Sequence, residues 1–238
     1  MKVTIEIGQQ KKFLLEGAIL IYEEQLHKQE CFATVHKVIR EGPEPQLPVL
    51  GPGSLLTTSF LRELTSRLRI PDKARLLPEN VLAYTSELVV WWTPPRLHPM
   101  YFSDGAEDRR EVDGRICPHP ALVWKVRRGQ LFLRALSAPA RPRAKTALMV
   151  APYWNTAPQS GDVCEGSMPR PEQTDLSSLL SWEEGFFNSR FTHPSGFGKL
   201  TTHQGGFIGL WTELVGKQEF PVHYLARSTQ TIEEFIES

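Results

Sequence analysis

Cysteine is scarce in this chain: Cys31, Cys117 and Cys164 are the only three in 238 residues, and no two form a CxxC pair. An odd, widely spaced set excludes a disulfide framework and a zinc knuckle, and points to the reducing cytoplasm. Net charge is missing as well, since 27 Lys and Arg balance 27 Asp and Glu. Without a global field to gather phosphate backbones or anionic lipid, neither nucleic acid nor a membrane is an expected partner. No stretch approaches the roughly 20 apolar residues of a membrane span. Met1–Ile7 alternates polar and apolar residues like a strand, and lacks the apolar core of a secretory signal. A chain of 238 residues buries roughly 70% of its unfolded surface on folding, so no cofactor is needed for stability.

What is there falls into an α+β pattern. Val3, Ile5 and Ile7, then Leu15 to Tyr22, then Phe32 to Ile39 alternate as a small antiparallel meander. Glu41 to Pro48 and then Gly51-Pro52-Gly53 interrupt regular structure, because proline removes donors and glycine opens unusual dihedrals. Residues 1–50 are therefore read as an N-terminal β extension and linker, and 51–238 as one compact main domain. Thr57-Thr58-Ser59 predicts a cap for a helix over residues 58–69, with Phe60, Leu61, Leu64 and Leu68 on one face. Strands are expected at 87–92, 121–126, 130–136 and 146–150, with Arg128-Gly129 as a tight hairpin turn. Thr174-Asp175 predicts a cap for a helical segment carrying Leu176, Leu179, Leu180 and Phe187. Residues 207–215 and 231–236 are shorter helical candidates. Trp91, Trp92, Tyr101, Phe102 and Trp124 belong to the sheet core by their alternation, and Lys125 to Arg128 is expected to be a solvated turn.

The segment most suggestive of chemistry runs from Ala151 to Gly166. It sets Cys164 beyond an apolar strand, the lone Asn155 and a small-residue turn, Gly161-Asp162-Val163. Flanking Gly161, Asp162, Glu165 and Gly166 expose a thiol rather than bury it, and exposure is what a nucleophilic cysteine requires. Cys31, in an apolar strand, is expected in a core. His193 and His203 lie in glycine-containing loops without a carboxylate or cysteine at ligand spacing, so no metal site is expected. His193 is the one histidine that could serve Cys164 in a cysteine hydrolase.

From Gln130 to Met168 the chain resembles the core of ubiquitin-conjugating enzymes: a strand, Leu131 to Leu136; prolines, Pro139 to Pro142; a second strand, Ala147 to Val150; then Asn155 and Gly161-Asp162-Val163-Cys164. Over most of its length it is similar to the PRTRC system protein B family, a bacterial branch of that superfamily. The supporting stretches are Leu88 to Pro95, Phe186 to Pro194 and Gly205 to Trp211. The resemblance implies a ubiquitin-conjugating-like fold, an antiparallel meander packed with helices, here with the extra N-terminal meander. It also implies that Cys164 accepts a ubiquitin-like protein as a thioester from a ThiF-like adenylating enzyme and passes it to an amine, with Asn155 stabilising the oxyanion. The chain departs from the pattern at Tyr153-Trp154, where the family has histidine and proline, and at Glu165-Gly166 after the cysteine. Those departures support the alternative of a non-catalytic module that binds the modifier or its activating enzyme.

Overall fold

The structure, a computed structural model, describes residues 5–6, 12–24, 31–39, 49–68, 76–103, 109–166, 168–171 and 174–238. Val3, Ile7 and the Glu41–Pro48 segment lie outside the described residues. The chain divides into two compact units, 1–75 and 76–238.

In the first unit, β1 (Ile5–Glu6) pairs antiparallel with β2 (Lys12–Phe13). Strands β3 (Gly17–Glu23), β4 (Cys31–Ile39) and β5 (Val49–Leu55) form an antiparallel sheet in sequence order. Helix α1 (Thr58–Arg67) begins where the Thr57 hydroxyl accepts from the Phe60 amide at 3.3 Å. Two expectations are corrected here. Gly51-Pro52-Gly53 does not end regular structure but lies within β5, because an outer strand tolerates a proline and the glycines allow close approach. A Cβ on Gly53 would stand 2.5 Å from the His36 ring, and one on Gly51 2.9 Å from the Ile39 side chain. Cys31 is exposed rather than in a core, since it starts β4 opposite Glu23 at the end of the β3–β4 ladder. A groove of about 1120 Å³ runs among residues of β3, β4, β5 and α1, and no cysteine lines it.

The second unit is built on a six-stranded antiparallel sheet. Its strands are β6 (Val81–Tyr84), β7 (Leu88–Thr93), β10 (Leu122–Arg127), β11 (Gln130–Ala135), β12 (Ala147–Val150) and β13 (Arg227–Thr231), ordered β13-β12-β11-β10-β7-β6. A separate ribbon pairs β8 (Arg96–Met100) with β9 (Arg115–His119). The β10–β11 turn has Arg128 at φ 50° and Gly129 at φ 77°, as a two-residue turn with a twist matching the strands demands.

Both faces of this sheet are covered, which is why β7 and β10 read as continuous apolar runs. On one face Val89, Trp91, Leu122 and Trp124 pack with α2 (Leu179–Phe187) and α3 (Gly206–Leu214) through Trp182, Phe186 and Trp211. On the other, Val90, Val123 and Leu148 meet Ile232 and Phe235 of α4 (Ile232–Glu237). Trp91 and Trp124 are register partners stacked 5.8 Å apart. Buried Glu183 of α2 accepts from the Trp91 indole at 2.8 Å and from Arg96 at 2.5 Å, tying helix, sheet and ribbon together.

Lys125 is not in a solvated turn. It is buried in β10, donates to the Phe235 and Ser238 carbonyls and lies over the Phe132 and Phe235 rings. Burial holds its amine down to about 8. The Asp175 carboxylate accepts from the Ser177 amide, and α2 begins only at Leu179. No helix among the described residues is long and apolar enough to cross a membrane.

Candidate functional site

Residues 155–164 form a hairpin laid along the edge of β11. Its rungs are Cys164 N–H to the Asn155 carbonyl at 2.7 Å, Ala157 N–H to Asp162 at 2.8 Å and Gly161 N–H to Ala157 at 2.8 Å. The returning arm is pinned to the sheet by Val163 N–H to Leu131 O at 3.0 Å and Leu133 N–H to Gly161 O at 2.8 Å. β12 pairs with β11 only at Arg134 and Ala135, so the first half of β11 is left for this arm. Gly161 has φ +85°, and a Cβ there would lie 2.9 Å from the Leu133 carbonyl, so glycine is required. Val163 turns inward and Cys164 outward, which leaves the thiol exposed at the end of a pinned strand.

Arg134 holds the far end of the hairpin. Its fully buried guanidinium donates to Pro158 O at 2.8 Å, Gln159 O at 2.5 Å and the Gln230 side chain at 2.7 Å. Burial lowers its pKa to about 10, an effect the Asp162 carboxylate opposes. The clue in the sequence is one charge inside the apolar run Leu131 to Leu136, and strand patterning alone gives it no partner.

The residues before Asn155 are anchored by aromatic packing. Tyr153 stacks on Phe191 at 5.8 Å and on Trp211 at 5.7 Å, and Trp211 donates its indole N–H to the Pro152 carbonyl at 3.0 Å. The Tyr153 hydroxyl lies 3.0 Å from His119 Nδ1, and His119 Nε2 lies 3.0 Å from the His98 carbonyl. A carbonyl only accepts, so Nε2 carries the proton and Nδ1 accepts from Tyr153. Burial pushes His119 down to about 3 and Tyr153 well above its usual range, so both stay neutral. Trp154 is stacked 4.7 Å from Phe207, with Arg109 4.5 Å over its ring. Tyr153 and Trp154 thus support the loop from the aromatic core.

Asn155 is buried, and its side chain spans to the next loop: Nδ2 donates to Arg190 O and Oδ1 accepts from Thr192 N–H, each at 3.4 Å. These long bonds commit the amide to backbone in the geometry seen. Glu165 turns away from solvent, accepting from the Leu131 amide at 3.1 Å and ion-pairing with Arg170. Met168 and Pro169 then run against α2, where a Cβ on Gly185 would come within 2.9 Å of the Pro169 carbonyl. Buried Cys117, which packs near the Trp211 carbonyl, is the core thiol, and burial pushes it up to about 11.

His193 is exposed and shares a hydrogen bond with the Thr192 hydroxyl at 2.8 Å. It is on the loop that Asn155 contacts, and among the described residues no hydrogen bond joins it to Cys164. His203 accepts from the Gly205 amide and pairs with Glu213 at 2.9 Å. Among the described residues no three His, Cys, Asp or Glu side chains gather to hold a metal ion.

Fold and site together define a mixed α+β domain, mostly antiparallel, that presents an exposed thiol on a hairpin pinned to the sheet, in backbone register with a buried asparagine. The family model for prokaryotic E2 family D matches residues 57–228, more than half of the chain. The chain belongs to that family, which implies a conjugating-enzyme-like role and, in general terms, activating enzymes and modifiers as partners. A search of curated proteins and one of solved structures find no match.

Proposed function

We propose that this chain is a cysteine-dependent conjugating or carrier protein of the ubiquitin-conjugating type, related to PRTRC system protein B and working in the bacterial cytoplasm. The observation that carries this reading is the exposed Cys164 fixed across the hairpin from Asn155, in a chain of a prokaryotic E2 family. In the first step the Cys164 thiolate attacks the thioester that links a ubiquitin-like protein to its ThiF-like activating enzyme. A new Sγ–acyl bond forms as the old S–acyl bond breaks, and the enzyme's thiolate leaves. In the second step an amine attacks that acyl carbon, the Sγ–acyl bond breaks, and the amine's proton passes to solvent or the departing sulfur. Negative charge builds on the carbonyl oxygen in both steps, and Asn155 Nδ2 is the donor we assign to it, released from its 3.4 Å bond to Arg190 O. Cys164 and Asn155 are the functional pair, the sheet with its helices and N-terminal meander is read as an elaborated ubiquitin-conjugating fold, and no cofactor takes part.

The commitment of Asn155 to the Arg190–Thr192 backbone favours one second reading, a non-catalytic module that binds the modifier or its activating enzyme. One experiment separates the two. The chain is mixed with ATP, a ThiF-like activating enzyme and a ubiquitin-like protein from the same source. An adduct removed by reductant and abolished by Cys164→Ser is the expected result. No adduct with a demonstrably active activating enzyme turns the assignment to the binding module.

A further inference from the structure

Phe197 is 89% exposed, the most exposed aromatic side chain among the described residues. Leaving such a side chain in water forgoes the gain that burying its apolar surface would bring. Its backbone is nevertheless seated. Gly196 and Gly198 flank it at φ +70° and +118°. A Cβ on Gly196 would stand 3.1 Å from the Gln159 side chain, and one on Gly198 3.3 Å from Pro158. Just before the tip, the Ser195 amide donates to the Trp154 carbonyl at 2.7 Å. The tip therefore rests on the same hairpin that ends in Cys164, and Arg134 fixes that hairpin's Pro158 and Gln159 carbonyls to β11. Thiol and phenyl ring share one frame.

We propose that the Gly196–Phe197–Gly198 tip is a docking anchor for the ubiquitin-like protein whose C-terminal acyl group Cys164 receives. The inference rests on the thiol's proposed function and adds the surface that selects its partner. Pro158 stands three residue steps along the hairpin from Asn155 and its rung with Cys164, about 10 Å at the usual strand rise. A specific protein interface covers about 800 Å² on each partner, a patch roughly 30 Å across. A folded protein with its C-terminus at Cys164 thus also covers Phe197. The chemistry of the partner follows from the charges along the segment that carries the tip. From Gly185 to Thr212 the chain has no Asp or Glu, while Lys199 is exposed beside the tip and Arg190, also exposed, donates to the Phe102 carbonyl. The nearest carboxylate on the hairpin, Asp162, accepts from the Ser160 hydroxyl. The matching face is an apolar pocket for one phenyl ring with an acidic rim.

The test is binding without chemistry. The full chain and its Phe197→Ser and Phe197→Leu variants are titrated calorimetrically with the uncharged ubiquitin-like protein from the same source, without ATP or activating enzyme. Phe197→Ser is expected to weaken binding about tenfold or more, Phe197→Leu to restore most of it, and rising salt to weaken it further. Iodoacetamide labelling of Cys164 is expected at the same rate in all three, which shows the hairpin intact. Binding within about twofold in Phe197→Ser, or no binding by the unaltered chain, overturns the anchor. Whether Cys164 charges is read separately with ATP and activating enzyme, so failure of the thiol assignment and failure of the anchor remain distinct results.

Discussion

The Cys164 amide donates to the Asn155 carbonyl at 2.7 Å, so the thiol-bearing residue and the buried asparagine are register partners across one hairpin. Nine positions apart in sequence, they are fixed opposite each other by backbone alone. Either side chain can then be replaced without dissolving the relationship, and this makes their roles separable by mutation.

Asn155→Ala tests the oxyanion role. Transfer from Cys164 to an amine is expected to fall on the order of 100-fold, the usual loss for one oxyanion donor. Melting temperature reports the accompanying loss of the two long bonds to Arg190 and Thr192. An unchanged transfer rate with a lowered melting temperature would assign Asn155 to loop support alone.

Thiol labelling sorts the three cysteines. Native protein is expected to take up iodoacetamide at Cys31 and Cys164, both exposed, and to protect Cys117 until denaturant is added. Mass spectrometry of peptides from labelled native protein checks this, and protection of Cys164 would remove the basis for its proposed chemistry.

Gly161→Ala should destabilise the second unit by roughly 1–3 kcal/mol, since alanine resists the positive φ and its Cβ meets the Leu133 carbonyl. Urea unfolding measures the loss. Gly129→Ala, where a Cβ would have open space, should cost less.

Arg134→Met leaves Pro158 O, Gln159 O and the Gln230 side chain without their buried donor. A cost on the order of 3 kcal/mol is expected. Arg134→Lys should recover little, because an ammonium cannot reproduce the planar fork. Native-state labelling of Cys164 in these variants shows how far the hairpin loosens.

His119 gives the fold an acid-side pH dependence. Its folded pKa is depressed to about 3 from 6.5, so between those values the unfolded chain binds a proton that the folded chain refuses. Above pH 6.5 both states are neutral and the residue adds no slope. As pH falls below 6.5, it removes stability at up to about 1.4 kcal/mol per pH unit. The urea midpoint at pH 5 should lie below that at pH 7, and His119→Phe should shrink the difference.

Elements whose residues carry a one-dimensional pattern were legible in the sequence. The Arg128-Gly129 turn and strands β7, β10 and β11 lie within a residue or two of their expected positions, and α1 begins at its expected threonine cap. The exposure of Cys164 followed from its small, polar neighbours. What was hidden depended on partners distant in sequence. Ribbon β8–β9 carries two prolines, Pro99 and Pro118, with Pro120 just beyond it, and these obscure its alternation. Lys125 looked solvated because nothing local reveals that residues 110 or more positions later supply its acceptors. Tyr153 and Trp154 read as departures, because the His119 and Phe207 they engage are not neighbours in the chain.

Pro52 has a consequence beyond the first unit's own ladder. β5 is an outer strand of its sheet, and a strand edge with a full row of amides is a template on which another chain can add. Pro52 falls where the pairing of β5 with β4 shifts register between His36 and Val38, and such a bulge bends an outer strand away from the flat geometry an incoming strand needs. The feature that disguised this strand in the sequence thus works against edge-to-edge pairing.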